Sequence, residues 1–130
     1  MLKEVQRILS LIPNTTYADV RIIDFSSRDI ATKDGVVEAL SEGTSLGYGI
    51  RILKNGSWGF ASSSDMSPTG IDKTIKKTLE ICEATTRNQK DIVELIEQAG
   101  IVGSYKTPIK KDPFAVSLDT ISDVLLAADK

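Results

Sequence analysis

The chain contains no histidine, and that absence decides most of what its reactive residues can do. No Ser-His-Asp triad, Cys-His dyad or histidine-ligated zinc can be assembled within it. A single cysteine, Cys82, excludes an internal disulfide and a thiolate metal cluster. Cys82 falls on the apolar stripe of a predicted helix, where a cysteine acts as a small hydrophobe rather than a nucleophile. Ser62-Ser63-Ser64 offers hydroxyls whose base would have to be a lysine, and Lys54 is the nearest across a predicted hairpin. A strand-to-helix loop with capping serines accounts for that run better. Asp19, Asp24, Asp29, Asp34, Glu38 and Glu42 could pair as acid and base, as hydrolases require. In the first predicted hairpin, however, Glu38 faces Ala31, so no two carboxylates are forced together and a solvated sheet face is the simpler reading. No D-x-D-x-D-G loop is present to bind a metal through oxygens. Gly47-Tyr48-Gly49 begins like a phosphate-cradling loop, but Ile52 occupies the third glycine position and a strand follows. Arg51, beside Trp58 and opposite Phe60 on one sheet face, suits a cation–π stack or capture of a carboxylate. Lys76-Lys77 and Lys110-Lys111 are isolated pairs, and 16 basic against 18 acidic residues leave a net charge of −2. That balance exerts no pull toward nucleic acid or an anionic membrane.

Periodicity and turn chemistry predict the elements that hold these groups. Leu2, Val5, Leu9 and Ile12, flanked by Ile8 and Leu11, line one face of a helix over 2–12 that Pro13 stops. The alternation of residues 17–25 predicts a strand, with Ala18, Val20 and Ile22 on one face. Two hairpins follow, 28–41 around Asp34-Gly35 and 46–63 around Asn55-Gly56, both dipeptides suited to type I′ turns. A two-residue loop fixes register: Ile50 faces Ala61, Ile52 faces Gly59, Leu53 meets Trp58 and Arg51 meets Phe60. Large residues opposite small ones imply an element packed closely over Gly59. Ser67 and Pro68 start a helix over 68–86 with Ile71, Ile75, Leu79 and Cys82 inward. A short helix is expected over 91–99, stopped at Gly100. Tyr105–Phe114, with Pro108 and Pro113, reads as a linker. Ser117 then caps a last helix with Leu118, Ile121, Val124 and Leu125 inward. The expected fold class is α+β: an N-terminal helix and an antiparallel-dominated sheet of about five strands with two hairpins, helices packed on one face. At 130 residues this is one domain, with or without a fragment of another. No apolar run approaches the ~20 residues of a membrane span. The start reads as an amphipathic helix rather than a signal peptide, so the expected location is cytoplasmic.

Four stretches, taken in order, resemble a known family: Tyr17-Ala18-Asp19-Val20-Arg21, Lys33-Asp34-Gly35-Val36-Val37-Glu38, Gly47-Tyr48-Gly49-Ile50-Arg51-Ile52-Leu53 and Gly56-Ser57-Trp58-Gly59-Phe60-Ala61-Ser62. The chain is similar to the N-terminal region of the TldD/PmbA family, also described as modulators of DNA gyrase, and Asp112-Pro113-Phe114 with Val116-Ser117-Leu118 resembles the entry to that family's next segment. The resemblance implies a zinc-dependent peptidase acting on peptides or unfolded segments, assembled as a homo- or hetero-dimer. In the family, zinc is held by an H-E-x-x-x-H motif and a further cysteine in the later part of the chain. Neither is here, and Cys82 is not at a matching position, so no catalytic, cofactor-binding or metal residue carries over.

Residues 1–104 are therefore expected to form an N-terminal α+β domain, and 105–130 a linker with the first helix of a following segment. The expected function is a non-catalytic scaffold or assembly domain, with no cofactor in this chain and zinc implied for the full-length member. Its partners would be the remainder of the parent chain, a dimer partner and a peptide substrate, with no direct nucleic acid and no membrane. The alternative is a stand-alone module that takes up a peptide or assembles by β-addition, without catalysis. A gyrase- or DNA-associated regulator is the weakest reading, because the charge balance opposes direct DNA binding.

Overall fold

A computed structural model describes residues 1–129; Lys130, the end of the expected 105–130 segment, lies outside the described residues. Helix α1 spans Leu2–Leu11. Ile12, next to Pro13, is extended at φ −75° and ψ 127°, as steric conflict with a following proline ring requires. Ile8 is the fully buried residue of α1, with Val5, Leu9 and Ile12 packed beside it. Leu2 and Leu11 stay exposed, so the stripe is centred on Ile8 rather than on the Leu2–Ile12 line.

Three strands follow: β1 (Tyr17–Lys33), β2 (Val36–Lys54) and β3 (Ser57–Ser63), in the sheet order β1-β2-β3. Both expected turns are in place, with φ of 52° and 76° at Asp34-Gly35 and 53° and 71° at Asn55-Gly56. The β2–β3 register runs antiparallel from Lys54↔Ser57 through Leu53↔Trp58, Ile52↔Gly59, Arg51↔Phe60 and Ile50↔Ala61 to Tyr48↔Ser63, as the two-residue loop dictates. The expected five strands are three. Segments 17–25 and 28–33 are one strand, and so are 36–41 and 46–54. The two hairpins expected as separate pairs of short strands therefore share one long middle strand. The expected gaps at 26–27 and 42–45 are bridged by extended backbone: Gly43 does not take a positive φ there, and the strand continues.

Helix α2 spans Pro68–Asn88. Ser67 caps it, its Oγ accepting from the Gly70 N–H at 3.1 Å, and Pro68 occupies the first turn. Ile71, Ile75 and Cys82 are buried and Leu79 packs beside them. Thr74 and Thr78 are buried too. Their hydroxyls donate to the carbonyls of Gly70 (2.9 Å) and Thr74 (2.8 Å), so neither threonine is left orphaned in the helix–sheet interface. The sheet supplies Val20, Tyr48, Ile50 and Ile52 to the same cluster. Each fully buried isoleucine contributes roughly 1.5–3 kcal/mol.

Beyond α2 the expected helix over 91–99 is absent: residues 89–112 contain neither helix nor strand. Val93 instead donates its N–H to the Gly56 carbonyl at 2.9 Å, while Ile92 and Ile96 stay exposed. A helix of nine residues is marginal in water unless an apolar face is buried, and this one finds no face to bury. A 3-10 turn at Pro113–Ala115 leads to helix α3, Leu118–Ala128. Ser117 caps α3, as expected, by accepting from the Thr120 N–H at 3.2 Å. Leu118, Ile121 and Leu125 are half-buried, but Val124, expected inward, is 65% exposed. The described chain divides into two packed units, Met1–Asp24 with Leu46–Ser104, and Phe25–Ser45 with the residues from Tyr105 onward.

Gly59 is where α2 meets the sheet. A β-carbon there would sit 2.8 Å from the Cys82 Sγ and 3.0 Å from its N, and would overlap the Thr78 carbonyl. Two of these obstacles are backbone and cannot move aside, so Gly59→Ala is expected to cost about 3 kcal/mol by overpacking. Chemical denaturation followed by Trp58 fluorescence measures it; a loss within the error of wild type would show that α2 can lift off β3.

Candidate functional site

One polar cluster is built around Arg51. Alternation puts Tyr17 and Asp19 of β1, Arg51 of β2 and Trp58 of β3 on the sheet face turned away from the α1–α2 core. The Arg51 Nε and Nη2 donate to the Asp19 Oδ2 at 2.7 and 2.6 Å, and Arg21 Nε lies 3.7 Å from the Asp19 Oδ1. The guanidinium carbon is 5.0 Å from the Trp58 ring centroid and 6.0 Å from that of Tyr17. The two rings meet edge to face at 5.7 Å. The hydrogen bond to Asp19 is the main reason the Arg51 guanidinium holds its proton above its ordinary range, against a smaller opposing effect of burial. With side chains 44% and 22% exposed, the pair is worth about 1 kcal/mol or less. The expected cation–π stack is present on Trp58. Phe60 is not its partner: that ring lies over Gly49 and is 58% exposed. Tyr17 takes its place, a role legible only once β1 is aligned beside β2. Arg51 captures a carboxylate, but one of its own sheet.

The serine run is not joined to Lys54. Ser62 pairs with Gly49 and Ser63 with Tyr48, whereas Lys54 pairs with Ser57 at the far end of β2, roughly 20 Å away at strand rise. Ser63 Oγ accepts from the Asp65 N–H at 3.0 Å, and the Asp65 Oδ1 accepts from the Ser67 N–H at 3.0 Å. Hydrogen bonds from Ser67 hold the Asp65 carboxyl below its ordinary range. These groups shape the entry to α2, as the loop reading expects. A shallow pocket of about 190 Å³ lies beside them, lined by Ser62, Ser63, Asp65, Lys73 and Lys77 among others. Gly47-Tyr48-Gly49 is strand, not a phosphate loop. Tyr48 is buried, with its hydroxyl 2.9 Å from the Thr74 Oγ1 and donating to the Asp65 carbonyl at 3.2 Å.

The residues present do not fit zinc. Among the described residues no three His, Cys, Asp or Glu side chains converge. Cys82 is buried, its Sγ 3.3 Å from the Ile52 carbonyl and 3.4 Å from that of Ser57. Burial is the main cause that pushes its thiol above the ordinary value, away from the thiolate a metal or a substrate would need.

Native Cys82 is therefore expected to react with a thiol reagent at pH 8 at least ~100-fold more slowly than in the unfolded chain. The raised pKa also sets a pH dependence. Below the ordinary value of 9.0 both states keep the proton; above it the unfolded chain releases a proton that the folded state retains, so stability falls. Cys82→Ala should flatten that alkaline slope in denaturation curves taken across it; an unchanged slope would remove Cys82 as its cause. For the Arg51 cluster, a double-mutant cycle of Arg51→Ala and Asp19→Ala should return a coupling of about 0.5–1 kcal/mol with an altered Trp58 emission. Zero coupling would leave the pair a surface accident.

Comparison with known proteins agrees with the sheet and α2. The family model described as PmbA/TldA metallopeptidase domain 1 matches residues 18–82, from the second residue of β1 to Cys82 in α2. A metalloprotease of Methanocaldococcus jannaschii is 28% identical over 122 residues, 94% of this chain and 27% of that protein. A metalloprotease of Methanothermobacter thermautotrophicus is 36% identical over 73 residues, 55% of this chain and 16% of its own length. One of Archaeoglobus fulgidus is 26% identical over 112 residues, 86% of this chain and 24% of its own. The chain thus spans about a quarter of the length of these relatives, or less. With half of its residues matched to the family's first domain, the chain belongs to the PmbA/TldD metallopeptidase family.

Proposed function

We propose that this chain is the N-terminal, non-catalytic part of a PmbA/TldD-type zinc metallopeptidase that acts on peptides or unfolded segments. The match of residues 18–82 to the family's first domain carries the reading. In it, residues 1–104 form a scaffold domain and 105–130 lead into a following segment. The scaffold helps shape the assembly surface or substrate path beside a zinc site held by other residues. Peptide hydrolysis needs a polarised carbonyl, an activated water and a proton donor for the leaving amine. In this chain the carboxylate of Asp19 is engaged by Arg51, that of Glu42 by Arg28, and the only thiol is buried. None of these three stands ready to activate water, and in this reading the chemistry is supplied by residues of the longer protein. The proposal includes a dimeric assembly in the cytoplasm. It leaves out direct DNA binding, because the net charge of −2 argues against it.

A second reading, peptide capture by strand addition, draws on one feature of the sheet. β3 pairs only with Tyr48–Lys54, so Val36–Ser45 of β2 present a backbone edge that β3 does not cover.

The test compares three proteins on an unstructured peptide: this chain, its full-length parent, and the parent without residues 1–104. The parent should cleave the peptide and lose that activity to a zinc chelator, and this chain alone should not cleave it. The truncated parent should fall about tenfold or more, because positioning depends on the missing scaffold. Chelator-resistant cleavage by this chain would overturn the reading; full activity in the truncated parent would remove the scaffold role. Peptide bound by this chain without cleavage, and lost when Ala39→Pro removes an outward-facing N–H from the β2 edge, would favour strand addition.

A further inference from the structure

In the unit formed by Phe25–Ser45 and the chain from Tyr105 onward, one arginine makes most of the polar ties between the two segments. The Arg28 Nη1 donates to the carbonyls of Pro113 (3.1 Å) and Val116 (3.0 Å), which bracket the 3-10 turn before α3. Its Nη2 donates to the Glu42 Oε1 at 3.2 Å, and the guanidinium carbon lies 5.0 Å from the Phe114 ring centroid. The turn is shaped before Arg28 reaches it: Asp112 Oδ1 accepts from the Phe114 N–H at 2.9 Å, and Ser117 caps the helix that comes next. At the other end of α3 the Asp129 Oδ2 accepts from the Gly35 N–H at 2.9 Å, at the tip of the β1–β2 turn. The helix is thus pinned near both ends by polar groups.

Between those pins the packing is thin. α3 has no buried residue, whereas α2 buries Ile71, Thr74, Ile75, Thr78 and Cys82 among others. Burial of apolar surface is the term that normally holds a helix to a sheet, so the attachment of α3 leans on Arg28 to an unusual degree. The Arg28 side chain is only 13% exposed, and its Nε is buried with no partner among the described residues. A buried donor left unsatisfied opposes the docked arrangement, and water would satisfy it on release. Residues 105–112, which precede the turn, contain neither helix nor strand and can absorb the movement of a detached segment.

We propose that Arg28 is a releasable clasp. The segment from Asp112 through α3 docks on the β1–β2 ribbon when the guanidinium holds the Pro113 and Val116 carbonyls, and undocks as a piece when that hold is lost, while the α2–β3 core stays folded. The contrast between α2 and α3 makes this a local opening rather than a step in global unfolding.

Amide hydrogen exchange on the full chain tests it, read at α3 and α2 together, with Trp58 fluorescence reporting the core. In the wild type the α3 amides should exchange at least ~100-fold faster than the most protected α2 amides. Arg28→Ala should speed α3 exchange by a further tenfold or so, with α2 exchange and the Trp58 transition unchanged. Phe114→Ala removes the stacked ring from the segment side and leaves the sheet intact; it should act in the same direction. The double variant should speed exchange by less than the product of the two, because both disrupt one contact. Equal protection of α2 and α3 in the wild type, no change at α3 in either variant, or loss of protection in both helices together would each overturn the proposal.

Discussion

The close approach of α2 to β3 at Gly59 is the contact on which the core depends. Nothing larger than hydrogen fits between that Cα and the helix backbone at Thr78 and Cys82. The distance sets which residues the helix can present. Ile71 and Ile75 reach the sheet, Cys82 settles between the Ile52 and Ser57 carbonyls, and Thr74 and Thr78 close their hydroxyls onto their own helix. Larger side chains at the threonine positions would hold the helix off. The Asn55-Gly56 turn matters for the same reason, because its two-residue length is what brings Gly59 opposite Ile52 and beneath the helix.

The two sheet faces solve different problems. One is an apolar surface of alternate residues covered by α1 and α2. The other places an arginine over two aromatic rings and against an aspartate of the neighbouring strand. Leu53 is fully buried outside the apolar cluster, so this face is partly closed, while Phe60, Ile23 and Phe25 remain exposed on the strands. Charge and stacking here order three strands side by side without adding much stability, since the ion pair is partly solvated.

These features underlie the scaffold role proposed above. Several of the reactive groups are engaged by neighbours, and no three His, Cys, Asp or Glu side chains converge among the described residues. Asp19 and Glu42 are held by arginines, Asp65 and Ser63 build a turn, and Cys82 is sealed under the helix.

The sequence by itself determined the features that local chemistry dictates. Asn-Gly and Asp-Gly placed two tight turns and hence the β2–β3 register; Ser67-Pro68 and Ser117 marked two helix starts; Pro13 ended α1; four ordered stretches pointed to the family. The absence of histidine bounded the catalysis by composition alone. The tertiary structure decided everything that depends on a distant partner. Segments 17–25 and 28–33 merged because no residue between them turns the chain. The stretch 91–99 has helical spacing but stayed irregular, because an amphipathic pattern forms a helix only where a complementary face exists to bury it. Tyr17 replaced Phe60 beside Arg51 because strand order across the sheet, which no local pattern encodes, brought β1 against β2. Arg28 lies some 85 residues from Pro113, and contacts of that span come from the packing of the folded chain, not from the spacing of residues along it.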